Sequence, residues 1–288
     1  MNFFGKLWNK KKTSGQPVQL SAGSCFDKYR VIDELGRGSY GAVYKVETTA
    51  TLTTDAGLCL PKGSKIAVKA SSCANKEASK ALDREIEALA AMRRQRLDAL
   101  STGLFAFGRT AQFRYFACRL LGESLSQLKR RAEPPGRFPE RDCLIIGWRL
   151  VAAVQSLHRA GFLHRDIKPA NFVVGVNRSD ARVYLIDYGF ARKMVDEKGE
   201  PKKQRQQRRK AKGTVSYLSQ EVLSGRDPCM RDDVLAVFLV LVDLRCGLPW
   251  DRQKVPLAEM REFKRNLPRR VRGLQPCTKA KTRQACKD

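Results

Sequence analysis

One polar run constrains this chain more than any other: His164-Arg165-Asp166-Ile167-Lys168-Pro169-Ala170-Asn171. It stands directly behind a helix and shortly ahead of a strand that ends in Asp187-Tyr188-Gly189. Leu144, Trp148, Val151 and Val154 mark the apolar stripe of that helix, which stops near Gly161, its C′ residue. Phe172–Val176 and Val183–Asp187 read as a small hairpin, with Val183 and Leu185 facing one way and Tyr184 and Ile186 the other.

Two further parts lie upstream. Gly36-Arg37-Gly38-Ser39-Tyr40-Gly41-Ala42-Val43 is a G-x-G-x-x-G-x-V pattern between two strand-like runs, YRVIDEL and AVYKVE. A dinucleotide site of this spacing requires a helix after the turn, whereas a hairpin can fold over the phosphates of a nucleotide or simply be a glycine-rich turn without a ligand. The next run, KIAVKA, carries Ile66-Ala67-Val68-Lys69. An isolated lysine on a strand is ordinarily solvated, so a phosphate-pairing role for Lys69 depends on a carboxylate to hold it. The helical stripe Leu82, Ile86, Leu89 and Leu97 offers Glu85 and Glu87; two residues apart on a helix they diverge, and Glu85 is the expected partner. Phe105–Gly108 and Phe113–Leu121 add two strands to the meander.

Composition bounds the remaining possibilities. The 288 residues, 42% hydrophobic and 8% aromatic, supply a proper core, so wholesale disorder and a stapled mini-protein are both excluded. Lys and Arg outnumber Asp and Glu by 56 to 29, a formal charge of +27, which favours polyanionic partners without choosing among them. Nine scattered cysteines without a C-x-x-C pair argue against a disulfide framework or a zinc site and for reduced thiols, in the cytoplasm or the nucleus. Val234 to Val242, the longest apolar run, is too short for a bilayer and reads as a buried helix. Neither a cleavable signal nor a lipidation motif is read at the ends.

H-R-D-x-K-P-x-N followed by D-[F/Y]-G, with the glycine hairpin and the strand lysine upstream in that order, resembles a eukaryotic-type protein kinase. Within that group, GFLHRDIKPANFVVG (161–175), Gly213-Thr214-Val215-Ser216-Tyr217, Arg231-Asp232-Asp233 and L-P-W (248–250) are similar to the casein kinase 1 superfamily, most of all to its tau-tubulin kinase branch. Ser216 departs from that family's usual Arg, and Arg119 stands where a hinge acidic residue is common.

The resemblance implies an α+β, bilobal fold with a small β-rich N-lobe and a mainly helical C-lobe. Residues 1–27 are then a flexible basic arm, 28–121 the N-lobe, 122–251 the C-lobe, and 252–288 a basic, divergent or truncated segment. It also implies ATP and Mg²⁺ as cofactors and a Ser/Thr protein kinase activity. Backbone groups of Gly36, Arg37, Gly38, Ser39 and Gly41 would cover the phosphates, with Val43, Ala67, Cys118, Arg119 and Leu121 around the adenine. Lys69, held by Glu85, would grip the phosphates; Asp187 and Asn171 would ligate the metal through oxygen, as a hard cation prefers. Asp166 would orient and deprotonate the substrate hydroxyl, and Lys168 would steady the γ-phosphate. Asp233 either ties this loop to the lobe or is a simple helix-start charge.

No Ser, Thr or Tyr occurs between Phe190 and Gly213, so phosphorylation inside that stretch cannot switch the chain on and constitutive activity is expected. The same stretch holds ten Lys and Arg. It reads as a surface for acidic or primed protein substrates, as a nuclear-localisation or nucleic-acid patch, or as a solvated loop. Only 38 residues follow Trp250, broken by Pro256, Pro268, Gly273 and Pro276, which keeps a catalytically impaired scaffold as the alternative.

Overall fold

Alternation of apolar and polar side chains over residues 29–72 accounts for the first layer of the computed structural model, which describes residues 18–271 apart from 55–56, 134–135, 178, 197–199, 201, 203–210 and 253–254. The layer contains β1 (Cys25–Phe26), β2 (Tyr29–Gly38), β3 (Gly41–Thr48), the short β4 (Leu52–Thr53) and β5 (Cys59–Leu60), and β6 (Lys65–Ser72). After helix α1 (Lys76–Arg94) come β7 (Ala106–Arg109) and β8 (Phe113–Cys118). Six of these strands form one antiparallel sheet in the order β1-β2-β3-β6-β8-β7. Every second residue of β3 is buried, and Ala42, Tyr44 and Val46 meet Tyr29, Val31, Val68, Phe113 and Tyr115 on one face. On the other face Ala67, Phe116 and Cys118 pack with Leu82, Leu89 and Met92 of α1, whose first turn is capped by Asn75 accepting from the Ala78 N–H at 3.0 Å.

Residues 1–17 of the expected arm lie outside the described residues. Val18, at its end, is buried, and its carbonyl accepts from Tyr44 Oη at 2.9 Å and from Arg37 Nη1 at 2.8 Å. The loop at 48–64 carries the β4–β5 pair and buries Leu52 in the same core.

The second half is built on α2 (Leu125–Arg131), α3 (Glu140–Arg159), β9 (Phe162–Leu163), β10 (Phe172–Val174), β11 (Val183–Leu185), β12 (Arg192–Lys193), α4 (Gln220–Leu223), α5 (Met230–Cys246), α6 (Pro249–Arg252) and α7 (Leu257–Val271). Helix α3 corrects the sequence reading. Leu144 and Trp148 are 71% and 78% exposed and Val151 faces water too, while Cys143, Gly147, Leu150, Ala153, Val154 and Leu157 form the buried face. The buried stripe faces α5, where Gly147 lies against the Leu241 side chain: a Cβ on it would stand 2.9 Å from Leu241 Cδ1. The β10–β11 hairpin pairs Phe172 with Leu185 and keeps the expected alternation, but both of its faces are covered. Val183 and Leu185 join α3 in the core, whereas Tyr184 lies under the Arg119 guanidinium at 5.0 Å and donates to Asp180 Oδ2 at 2.7 Å. Beyond Trp250, Met260 of α7 packs on Leu239, Leu248 and Trp250.

Asp233, near the start of α5, is buried and reaches back to the turn after α3. Its Oδ2 accepts from the His164 N–H (2.8 Å) and from His158 Nε2 (2.9 Å), and its Oδ1 from the Arg165 N–H (2.9 Å). Burial pushes its pKa up, but these donors hold the carboxyl below the usual aspartate range. The grip is needed because Arg165 has φ of +68°, a left-handed conformation unfavourable to a side-chain-bearing residue. Asp233→Ala strands buried donors on both chain segments and is expected to cost about 3–5 kcal/mol in chemical denaturation. A cost below about 1 kcal/mol would show that the turn holds itself.

Candidate functional site

Lys69 sits in the middle of β6, opposite Val43 of β3 and Phe116 of β8. Its ammonium is drawn down between two carboxylates. Glu85 of α1 makes a short ion pair through Oε1, and Asp187 Oδ1 lies 3.1 Å away from the other half of the chain. Glu87, the other candidate on α1, makes no bond to Lys69. Burial would lower the lysine pKa, but Asp187 and Glu85 hold it above the ordinary lysine range. Asp187 falls to about 2 because Lys69 and Lys168 outweigh its own burial, while Glu85 is pushed up to about 7 by burial against the pull of Lys69.

Two local features put Asp187 there. Its φ of +64° is left-handed, which turns the carboxylate out of the strand direction toward Lys69. Gly189 stands beside the pair, where a Cβ would make ordinary van der Waals contact at 3.4 Å with both Asp187 Oδ1 and Glu85 Oε1. Arg84, one residue before Glu85, donates its Nε to the Gly189 carbonyl at 2.7 Å and fastens α1 to this turn. That contact was not read from the sequence; an arginine next to the expected acid is its only signal.

Across from this cluster, the run 164–171 forms a second polar centre. Asp166 is buried and its Oδ2 pairs with Lys168 Nζ at 2.7 Å. Its Oδ1 accepts from both the backbone N–H (2.8 Å) and the hydroxyl (2.7 Å) of Thr214, and Lys168 Nζ also reaches the Thr214 hydroxyl at 3.3 Å. Asn171 donates its Nδ2 to the Asp166 carbonyl at 2.8 Å, and its own carbonyl accepts from the Ile186 N–H at 2.9 Å. That last bond brings Asn171 beside the residue preceding Asp187. His164 completes the bracing: with the proton on Nε2 it donates to the Ile186 carbonyl at 3.0 Å, and its Nδ1 accepts from the Asp166 N–H at 3.3 Å.

The glycine hairpin closes with Gly38 opposite Gly41. Gly41 has no alternative there: its φ is +152° and a Cβ would lie 2.3 Å from the Ala70 carbonyl oxygen. Gly36 and Gly38 have open space where a Cβ would go. The Arg37 side chain turns away from the turn to Glu34 and to the Val18 carbonyl, so Arg37 can offer the cleft only its backbone. Ser39 lies between the paired ends of the hairpin, and its neighbour Tyr40 stacks edge-on to Phe190 at 5.6 Å. Val43, Ala67 and Cys118 belong to the core cluster that also contains Leu185. Cys118 is buried, which raises its thiol pKa to about 12 and makes it an inert wall. Arg119 folds back, its N–H donating to the Thr102 carbonyl (2.9 Å) and its Nη1 to the Ser101 carbonyl (3.2 Å), and Leu121 follows half-buried.

A basic cleft of about 350 Å³ adjoins the 164–171 run, lined among others by Arg84, Arg165, Arg192, Lys193, Lys202 and Lys212. Arg165 is lowered to about 10 by burial and by the repulsion of Arg192 and Arg84. Most of the basic stretch that follows Lys193 lies outside the described residues. Ser216, which stands where the resembled family usually has Arg, donates to Asp251 Oδ1 at 2.7 Å.

The sequence comparisons cover these parts in one span. Residues 29–281 match the protein kinase domain family, a span that runs beyond Trp250 and includes α7. A probable serine/threonine-protein kinase of Dictyostelium discoideum is 30% identical over 266 residues, covering 91% of this chain and 50% of its own. In Caenorhabditis elegans, a putative serine/threonine-protein kinase is 30% identical over 240 residues, 81% of this chain and 65% of its own. The serine/threonine-protein kinase spe-6 of the same organism is 31% identical over 224 residues, 77% and 55% respectively. The chain thus spans between half and about two thirds of the length of these relatives. With Lys69, Glu85 and Asp187 joined in one ionic cluster, and Asp166, Lys168 and Asn171 in another beside it, the chain belongs to the protein kinase domain family.

Proposed function

We propose that this chain transfers the γ-phosphate of MgATP to Ser or Thr hydroxyls of protein substrates. The observation that carries this reading is the buried Asp166–Lys168–Thr214 arrangement, a carboxylate and an ammonium 2.7 Å apart and braced on both sides. Phosphoryl transfer needs positioning and charge neutralisation more than covalent chemistry. Asp166 orients the acceptor hydroxyl and takes its proton, Lys168 steadies the transferring group, and Lys69 places the nucleotide phosphates. Magnesium fits the donor set: Asp187 offers a carboxylate, and Asn171, whose amide nitrogen is committed to Asp166, offers its oxygen. The metal would supply charge neutralisation across the phosphates.

Membership in the casein kinase 1 superfamily, near its tau-tubulin kinase branch, is part of the proposal and rests on the 161–175 and 213–217 segments. So is a preference for acidic or primed substrates. Its support is the cation-lined cleft beside Arg165. The Val215–Tyr217 turn does not contribute, because Ser216 there is paired with a carboxylate. Among the described residues no helix is long and apolar enough to cross a membrane.

The first test is Mg²⁺-dependent transfer from labelled ATP to casein. Asp166→Asn is expected to lower the rate by at least about 100-fold, the scale of a lost general base, and Asp187→Asn to abolish it. A folded protein that binds ATP but transfers nothing above these variants would refute the proposal and favour the scaffold reading. Phosphatase treatment is expected to leave turnover intact; loss of turnover on dephosphorylation would overturn constitutive activity. Replacing Lys193 and Lys202 together by Glu should raise KM for an acidic peptide about 10-fold, one decade being the order expected from two charge reversals at a partly screened site. KM for ATP should stay unchanged, and an unchanged peptide KM would remove the cleft from substrate selection.

A further inference from the structure

Helix α7 contains a lysine in an unusual place. Lys264 is only 8% exposed, its stem lies against the buried Trp250 with the ammonium 4.9 Å from the ring centre, and Met260 packs nearby. A methionine of the same length would fill this space without desolvating a charge. The ammonium instead donates to two carbonyls of a single short turn, Val215 O at 2.8 Å and Leu218 O at 2.7 Å. Arg261, one turn earlier on α7, donates to the Leu223 carbonyl at the end of α4. The helix therefore straps residues 215–223 from below through two cations on backbone oxygen. Burial brings the Lys264 ammonium down to about 7, and Asp251 of α6 opposes that only in part. An amino group buried at that cost, with its donors spent on the carbonyls of one turn, acts as a positional constraint on the turn.

The turn leads directly to the reacting centre. The Tyr217 N–H donates to the Thr214 carbonyl at 3.0 Å, and Thr214 gives both its N–H and its hydroxyl to Asp166 Oδ1. Gly213 is pressed against the same loop: at φ of +111°, a Cβ there would lie 2.4 Å from the Arg165 carbonyl oxygen. Movement of the turn cannot be absorbed before it reaches Asp166.

We infer that Lys264 is a positioning residue for the proposed phosphoryl transfer, acting from α7 through the Val215–Leu218 turn and Thr214 on the Asp166 carboxylate. This inference rests on the kinase reading for its catalytic consequence, but its structural part can be measured without any activity.

The test compares the full chain with Lys264→Met, a substitution that keeps length and packing. In hydrogen exchange the amides of Thr214, Tyr217 and Leu218 are expected to exchange at least about 10-fold faster in the variant, with the α5 core amides unchanged. In the transfer assay kcat is expected to fall about 10-fold or more, since small misplacements of a reacting group carry such penalties, while KM for ATP stays within about 2-fold, as expected for a change that leaves nucleotide binding intact. Thr214→Val should lower kcat similarly, and the double variant should lose little more than either single one, as residues acting along one route do. Unchanged exchange at 214–218 overturns the inference whatever the activity. Faster exchange with unchanged kcat, or strictly multiplicative losses in the double variant, overturns the catalytic role. A wild-type chain without transferase activity refutes the kinase reading alone, and exchange then still decides whether α7 controls the turn.

Discussion

A single ammonium joins the two halves of this molecule at the site. Lys69 belongs to the sheet, Glu85 to α1 and Asp187 to the turn after β11, and only their meeting fixes all three. The geometry is electrostatically demanding: two carboxylates share one cation in a buried place, so one of them, Glu85, is held near the edge of protonation. Removing the lysine would leave the buried Glu85 and the half-buried Asp187 facing one another without a cation, which is costlier than losing one surface pair. The left-handed φ of Asp187 serves that constraint, because the carboxylate must turn out of its strand to reach Lys69. Arg84 on Gly189 adds a neutral-acceptor contact that keeps α1 seated.

The second polar centre is organised by the same logic with the signs exchanged. Asp166 is an anion that receives Lys168 and two Thr214 donors, and the loop carrying it hangs from another anion, Asp233. Each buried carboxylate satisfies backbone N–H groups that no strand or helix would otherwise take, which lets an irregular loop be both buried and fixed. The hydrophobic layers of α3 and α5 position Asp233, and Asp233 positions Asp166. Packing therefore reaches the chemistry through hydrogen bonds to backbone and not through direct contact.

Much of this was legible in the sequence, and the limits have physical causes. Strands β2, β3 and β6 follow from alternation of β-branched and aromatic residues, and Glu85 could be separated from Glu87 because helical periodicity puts them on different sides. The burial of α3 differs from the sequence reading because two apolar stripes coexist on it; Leu144 and Trp148 suggest the core, while the stripe of Cys143, Gly147, Leu150, Val154 and Leu157 is the one that is buried. Helix α7 was underrated since it carries few large apolar residues. It buries Met260 and the stem of Lys264 instead, and a lysine in a basic tail gives no sign that it will be inside. Arg84, His158 and Thr214 form bonds to residues far away in the chain, which no local pattern encodes.

These buried charges also set how the site responds to pH. Asp233 titrates lower in the folded chain than in the unfolded one, so its contribution is present above the unfolded aspartate pKa and is lost as pH falls through the folded value. Lys264 acts in the same sense at higher pH: folded, it releases its proton near 7, whereas unfolded lysine holds it to about 10.4, so stability rises with pH between those values. Glu85 works in the opposite direction, because its folded carboxyl binds a proton up to about 7 and the unfolded one only to about 4.3; ionising it costs stability across that window. The +27 net charge adds self-repulsion that grows as carboxylates are neutralised. Acid therefore acts on both polar centres. Glu85 gives up its buried charge readily as it takes up a proton, while Asp187 and Asp233, both held below the ordinary aspartate range, lose their stabilising contacts as pH falls through their folded values.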